Sequence, residues 1–454
     1  VSEVASEPRT PPVERLGVRL RPTRPGVDPT VLLGLALRRN PRRAQLLVSR
    51  VLGKHVPTDP RLVRAAGLLL GGLVADALAG RPARSVPVET LHAAVRGDRG
   101  AAAMLHAGAE RTIRTAPDAL VLGFAETATA LGHCVAEGLG GADYLHSTRR
   151  PVPGYAAAGG FTEEHSHATH HLLLPADPAM LHGGRPLVLV DDELSTGRTA
   201  LNTIVALHRT APREHYVVAT LVDVRPPGSE LVDGVAALGA RLDVVALAEA
   251  AIELPADLAE RAAQLRAELG TEPGAEFGEA PDPSVGRVVL GELGWPAGFA
   301  VGGRHGFGFR DHRELADSLP RLAAGLAQAA GLVPEDQTLV LGTEELMQLP
   351  LRLAQTLADA GHDIAFSSTT RSPAVVVPAE GYALTSGITF PAHDDPADGP
   401  GPRFAYNVGG GTGTPRWDHV LVVVDPPADT PALRSGLLPA LAPYTRRTTV
   451  VVTP

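Results

Sequence analysis

The chain has 454 residues, 44% hydrophobic and 20% charged, with 49 Gly, 41 Pro and a net charge of −9 at pH 7. That length implies two or three domains, each with its own core, and the balance is that of an ordinary globular protein rather than a disordered one. The negative charge and the lack of a basic tail argue against a nucleic-acid partner, and the single Cys134 excludes an internal disulfide scaffold.

Residues 1–30 are rich in Pro and Arg and are expected to form a mobile arm. Val1-Ser-Glu-Val-Ala-Ser-Glu-Pro8 shows no basic region followed by an apolar one, and the longest apolar stretch, Ala65 to Ala79, is broken by glycines and an Asp and is too short for a bilayer. No membrane partner and a cytoplasmic location are therefore expected. From 31 to 115 the pattern predicts helices over Val31–Arg39, Pro41–Leu52, Pro60–Leu78 and Glu89–Ala107.

From Leu120 the texture changes to strands alternating with helices. Strands are predicted at Leu120–Gly123, Ala142–His146, Leu187–Val190, Tyr216–Val222 and Leu242–Leu247, with helices at Thr127–Gly138 and Thr199–Arg209. This alternation predicts an α/β domain over 31–270 with a Rossmann-like parallel sheet. The acidic, Pro/Gly-rich segment 271–285 has no apolar period and reads as a linker. A second domain, 286–454, opens with a glycine-rich stretch and ends in the β-rich Val420–Val424 and Thr448–Thr453.

The two halves share a pattern. Leu120-Val-Leu-Gly123 recurs as Leu339-Val-Leu-Gly342, each with a Glu three residues later, Glu126 and Glu345. Thr148-Arg149-Arg150-Pro151 recurs as Thr370-Arg371-Ser372-Pro373, the segment Gly154 to Thr162 as Gly381 to Thr389, and Val188-Leu-Val-Asp191 falls where Leu421-Val-Val-Val-Asp425 falls. Four matches in one order predict an internal duplication.

The chemistry is concentrated in Val188-Leu-Val-Asp191-Asp192-Glu-Leu-Ser195-Thr196-Gly197-Arg198-Thr199. Here an apolar strand ends in carboxylates, and a Ser/Thr/Gly turn then opens a helix. Such a turn aims backbone N–H groups and hydroxyls at one spot, where the helix dipole adds positive charge, and so makes a phosphate cradle. Gly197 permits close backbone approach. Adjacent acids beside an anion site suit a sugar diol and a hard cation such as Mg2+. The Walker A lysine is absent.

This string resembles the phosphoribosyl pyrophosphate (PRPP) motif of type I phosphoribosyltransferases, with orotate phosphoribosyltransferase similar in order of parts. The pairing with Thr370-Arg-Ser-Pro373 resembles a bacterial two-domain family that joins a phosphoribosyltransferase to a TRSP domain and is associated with tellurium-resistance gene clusters. The resemblance implies that Ser195, Thr196, Gly197, Arg198 and Thr199 hold the 5-phosphate and that Asp191 and Asp192 hold the ribose hydroxyls and the Mg2+ shell. It places a pyrophosphate loop at Gly123, Phe124, Ala125, Glu126 and Thr127. Arg149 would neutralise the leaving pyrophosphate, assisted by Arg150. A hood over 151–175 carries Glu163, Glu164, His165 and His167, either as proton carriers and closing residues, as polar filler, or, with His170 and His171, as a metal site. Lys54 and His55, in a Gly-Lys-His-Val-Pro turn, are candidates to approach the same site.

The second copy lacks the cradle: Asp425-Pro-Pro keeps one acid and its prolines remove donors. It reads as a degenerate phosphoribosyltransferase-like repeat that does not bind PRPP in the usual way. Because orotate-type enzymes pair two subunits that exchange basic loops, the chain is expected to be a pseudo-dimer supplying Arg371 to the N-terminal site, with homodimerisation left open. The expected activity is phosphoribosyl transfer from PRPP with Mg2+ to a nucleobase-like or amine acceptor, releasing pyrophosphate, in nucleotide or stress metabolism. The alternative is a non-catalytic PRPP-binding regulator. PRPP synthesis is disfavoured because no ATP site stands out.

Overall fold

A computed structural model describes residues 12–40, 44–114, 118–162, 170–269, 285–394, 401–409 and 416–454. The first half is built on a six-stranded sheet in the spatial order Arg19–Pro22, Arg241–Glu253, His215–Asp223, Leu187–Leu194, Leu120–Gly123, Asp143–His146. All neighbours are parallel except Arg19–Pro22, which runs antiparallel to Arg241–Glu253. The central strands are near-continuous Leu/Val runs because helices cover both faces. The strand at 19–22, with the Arg24–Glu249 ion pair at 2.9 Å beyond it, ties down the part of the expected mobile arm that is described.

Pro60–Leu78 is a helix as predicted, started by Asp59, whose side chain accepts from Arg61 N–H, and by Pro60 in the first turn. It crosses Thr129–Gly138 at close range: a Cβ at Gly71 would lie 2.5 Å from the Val135 carbonyl oxygen, and one at Gly138 2.8 Å from that of Leu68. The helix expected over Glu89–Ala107 is two, Val88–Val95 and Arg99–Arg111. Gly97, at φ 98°, ends the first, and Asp98 caps the second through Ala101 N–H at 2.9 Å.

The helices expected over 31–39 and 41–52 are absent. Pro29–Leu32 is a single turn, and Leu33–Leu37 pairs with Gln45–Ser49 as an antiparallel hairpin. Short apolar runs fit helix and strand alike. A distant backbone decides here, since Val375 N–H donates to the Leu37 carbonyl at 2.8 Å and Ala383 N–H to that of Leu35 at 3.1 Å.

The second half carries a five-stranded, all-parallel sheet ordered Gly286–Val289, Thr445–Val452, Trp417–Val424, Thr338–Gly342, Ile364–Ser368. Its last four places mirror those of 215–223, 187–194, 120–123 and 143–146, so the sequence repeats fall on matching strands. The strand beside these four, Arg241–Glu253 in the first half and Gly286–Val289 in the second, follows them along the chain in the first half but precedes them in the second. The expected linker lies outside the described residues except for Val285.

The halves meet reciprocally. Thr58 bridges to Phe366 on the edge strand of the second sheet, and Phe307 bridges to Tyr144 on that of the first. Each contact comes from a Gly-basic-His turn, Gly53-Lys54-His55 and Gly303-Arg304-His305; a Cβ on Gly53 or Gly303 would collide with the ring of Phe366 or Tyr144. Between them the buried Glu137 joins Arg64 at 2.6 Å to Arg352 at 2.7 Å. Among the described residues no helix is long and apolar enough to cross a membrane.

Candidate active site

The strand Leu187–Leu194 runs past the two aspartates; Asp191 still pairs with Thr220 and Glu193 with Val222. The chain then turns through Ser195-Thr196-Gly197 into the helix Arg198–Thr210. Gly197 is the left-handed N-cap at φ 80°, and a Cβ there would lie 3.0 Å from Leu231. The first backbone N–H groups of a 13-residue helix thus open at the sheet's carboxyl edge, where Arg198 N–H donates to Thr196 Oγ1 at 3.4 Å. Asp191, Asp192 and Glu193 are half-buried beside them, and Asp192 N–H donates to Asp191 Oδ1 at 3.0 Å.

Acids and turn line one cavity of about 520 Å3. Phe124, Ala125, Glu126 and Thr127 form its second wall, where the Ala125–Glu126 peptide is cis. Arg149 and His171 flank that loop, and Lys54 and His55 reach it from the Gly-Lys-His turn. Lys54 Nζ donates to Thr127 Oγ1 at 2.8 Å and lies 3.5 Å from Glu126 Oε2. The hairpin contributes Arg38, Asn40, Leu46 and Leu47. The second half closes the cavity with Arg371, Ser372, Pro373, Arg403 and Phe404.

A carboxylate in a loop expected to hold an anion would oppose binding, so the partners of Glu126 matter. Its Oε2 accepts from Thr370 Oγ1 at 3.0 Å and its Oε1 lies 3.3 Å from Arg371 Nε. Burial pushes Glu126 up, but Lys54, Arg149 and Arg371 outweigh it and hold the carboxyl below its ordinary range. Glu344, the counterpart of Ala125, pairs with Arg371 and, at 2.6 Å, with Arg403. Burial and the nearby Glu126 raise it to about 7 against those two arginines. Burial, then the charges of Lys54 and Arg38, push His55 well below its usual value, so its imidazole is neutral.

Of the residues singled out in the sequence, Asp191, Asp192, Ser195 to Thr199, Phe124 to Thr127, Arg149, Arg371, Lys54 and His55 line this one cavity. Gly123 sits at the strand end behind it, where a Cβ would meet Tyr144 Oη at 2.5 Å. Arg150, expected to assist Arg149, turns the other way: it lies 3.2 Å from Asp425 Oδ2 and 3.8 Å from Asp394, because two carboxylates of the second half draw it there. Glu163, Glu164, His165 and His167 lie outside the described residues. The hood hairpin around them, Gly159–Thr162 with His170–Leu173, places His171 against Ser147 Oγ at 2.8 Å. Among the described residues no group of three or more His, Cys, Asp and Glu is arranged to hold a metal.

Sequence reasoning missed Arg38, Asn40 and Arg403. The first two were hidden by the helical reading of their hairpin. Arg403 carries no local signal, although it sits beside Phe404, which bridges to Thr370 as Leu172 bridges to Thr148. The turn Gly303-Arg304-His305 repeats Gly53-Lys54-His55 and was legible as a fifth match. At the second half's equivalent of the cradle, Trp417–Val424 ends in Asp425 and a 3-10 turn, Pro426–Ala428.

Residues 32–251 match the family described as phosphoribosyl transferase, and residues 301–441 match the TRSP domain, described as C-terminal to that transferase. Among solved structures, the adenine phosphoribosyl transferase of Trypanosoma brucei is 12% identical, with 31% of this chain and 65% of that one covered and a TM-score of 0.21. The Giardia lamblia adenine enzyme is 19% identical over 31% of this chain and 80% of its own, also at 0.21. The orotate phosphoribosyltransferase of Aeropyrum pernix is 23% identical over 29% and 60%, at 0.18. The chain thus spans less than two thirds of the trypanosomal and Aeropyrum enzymes. No curated protein matches it. The chain thus carries a domain of the phosphoribosyl transferase family over residues 32–251, followed by a TRSP domain over residues 301–441.

Proposed function

We propose that the chain transfers the ribosyl 5-phosphate group of PRPP to a small-molecule acceptor, nucleobase-like or an amine, with release of pyrophosphate. The observation that carries this is the single cavity in which a helix-opening turn, a pair of strand-end carboxylates and a basic-flanked loop face one another. The turn 195–199 suits a phosphate dianion. Asp191 and Asp192 suit the ribose diol, whose hydroxyls donate to carboxylates. The loop 124–127, flanked by Arg149, Lys54 and Arg371, suits the departing pyrophosphate.

The bond from C1 to the pyrophosphate oxygen lengthens, positive charge develops on the ring, and the acceptor's lone pair closes on C1 from the opposite face. The protein's contribution is placement and charge stabilisation in a partly closed site. The hard oxygen donors Asp191 and Asp192 fit Mg2+, which would supply charge neutralisation to the pyrophosphate. Arg371 makes the second half part of the same site.

The test is pyrophosphate release from PRPP and Mg2+ across a panel of bases and amines, with Asp191→Asn/Asp192→Asn as control. Acceptor-dependent release that the control loses supports transfer. PRPP binding without release from any acceptor identifies a PRPP-responsive regulator instead, and no PRPP binding removes both readings.

A further inference from the structure

The second half has lost the cradle yet keeps acids at its strand ends, and those acids have partners. Glu345 accepts from Thr148 Oγ1 at 2.7 Å and from the Arg149 backbone N–H at 3.1 Å, and Arg304 braces it at 3.2 Å. One residue further on, Arg150 is held by Asp425 at 3.2 Å, with Asp394 at 3.8 Å. Both sides of the grip are sheltered: the side chains of Glu345 and Asp394 are 4% and 8% exposed, and that of Arg150 is 16% exposed. Arg149, pinned through its backbone and through its next neighbour, faces the cavity beside the loop 124–127.

We infer that Glu345 and Asp425 are positioning residues, through which the TRSP half fixes the Thr148-Arg149-Arg150 loop so that the Arg149 guanidinium stands where pyrophosphate binds. This rests on the phosphoribosyl-transfer reading. Two adjacent arginines repel each other and would scatter over many rotamers in a free loop. Ordering them only when ligand arrives would weaken binding, and a preformed loop avoids that loss. Drawing Arg150 onto Asp425 and Asp394 cancels its charge and fixes the loop's direction, leaving Arg149 as the member that faces the anion. The bond to Glu345 survives a wide pH range, because against burial the charge of Arg304, with the Arg149 N–H and Thr148 hydroxyl, brings that carboxyl down to about 2.

The arrangement is mirrored. Glu126 of the first half accepts from Thr370 Oγ1 at 3.0 Å and from the Arg371 N–H at 3.5 Å, with Lys54 in the place of Arg304. Each half's strand-end Glu therefore holds the other half's Thr-Arg loop. This exchange accounts for which parts of the repeat the second half retains.

Calorimetry separates the two ends of the cavity without knowledge of the acceptor, using ribose 5-phosphate for the cradle and pyrophosphate with Mg2+ for the loop. Glu345→Gln and Asp425→Asn are each expected to weaken pyrophosphate about tenfold and to leave ribose 5-phosphate unchanged, which also reports an intact fold. Asp425→Glu should restore part of the loss, and Arg150→Met combined with Asp425→Asn should be no worse than either alone. Equal weakening of both ligands, or no change in either, overturns the positioning role. A wild-type protein that binds neither ligand removes the phosphoribosyl reading and this one together.

Discussion

Gly197→Ala tests the cradle through backbone geometry alone. Gly197 sits at φ 80°, where an L-residue costs about 1–2 kcal/mol, and its new Cβ would lie 3.0 Å from two atoms of Leu231. Relieving that crowding means moving the turn by a few tenths of an ångström or displacing Leu231 from the packing of the 230–236 helix. Gly80→Ala is the matched control: Gly80 has φ 61° with nothing within 4 Å of its would-be Cβ, and it ends a helix remote from the cavity. Both variants should lose about 1–2 kcal/mol in denaturant titrations. Only Gly197→Ala should also weaken ribose 5-phosphate, by about tenfold, since the shifted N–H groups no longer converge. A Gly197→Ala protein that binds ribose 5-phosphate as the wild type does would refute the assignment of the phosphate to this turn.

Arg371→Ala is expected to weaken pyrophosphate and PRPP about tenfold or more while sparing ribose 5-phosphate; unchanged PRPP affinity and turnover would separate the TRSP half from the site. Glu344 gives a pH signature. Its carboxyl, raised to about 7 in the folded protein, binds its proton more tightly there than in the unfolded chain. It therefore contributes stability below about pH 4.5 that is lost as pH rises through 7, at most about 3 kcal/mol. Glu344→Gln should flatten that window in denaturation midpoints compared across pH 4.5–8, and parallel curves would contradict it. Glu137→Ala removes the buried carboxylate that Arg64 and Arg352 share at the junction of the halves, leaving Arg64 with the half-exposed Glu110 at 3.4 Å. A loss of about 3–5 kcal/mol is expected, and a change within 1 kcal/mol would show that water reaches the pair.

The parallel α/β core, the string from Asp191 to Thr199 and the shared order of segments in the two halves were legible along the chain. Leu120–Gly123 and Leu187–Val190 were legible as strands because a strand–helix alternation frames them, and a strand–acid–acid–turn–helix string carries its geometry in neighbouring residues. Leu33–Leu37 and Gln45–Ser49 were not decided locally: a five-residue apolar run is compatible with either element until the 374–384 backbone supplies hydrogen bonds to it. The same holds for direction. Nothing in Thr148-Arg149-Arg150 says which arginine faces the cavity, and the answer came from Glu345 and Asp425, 196 and 275 residues away along the chain. Local patterns fix what a segment can become, whereas long-range carboxylates, acting over a few ångströms in a sheltered interface, fix where its charges point.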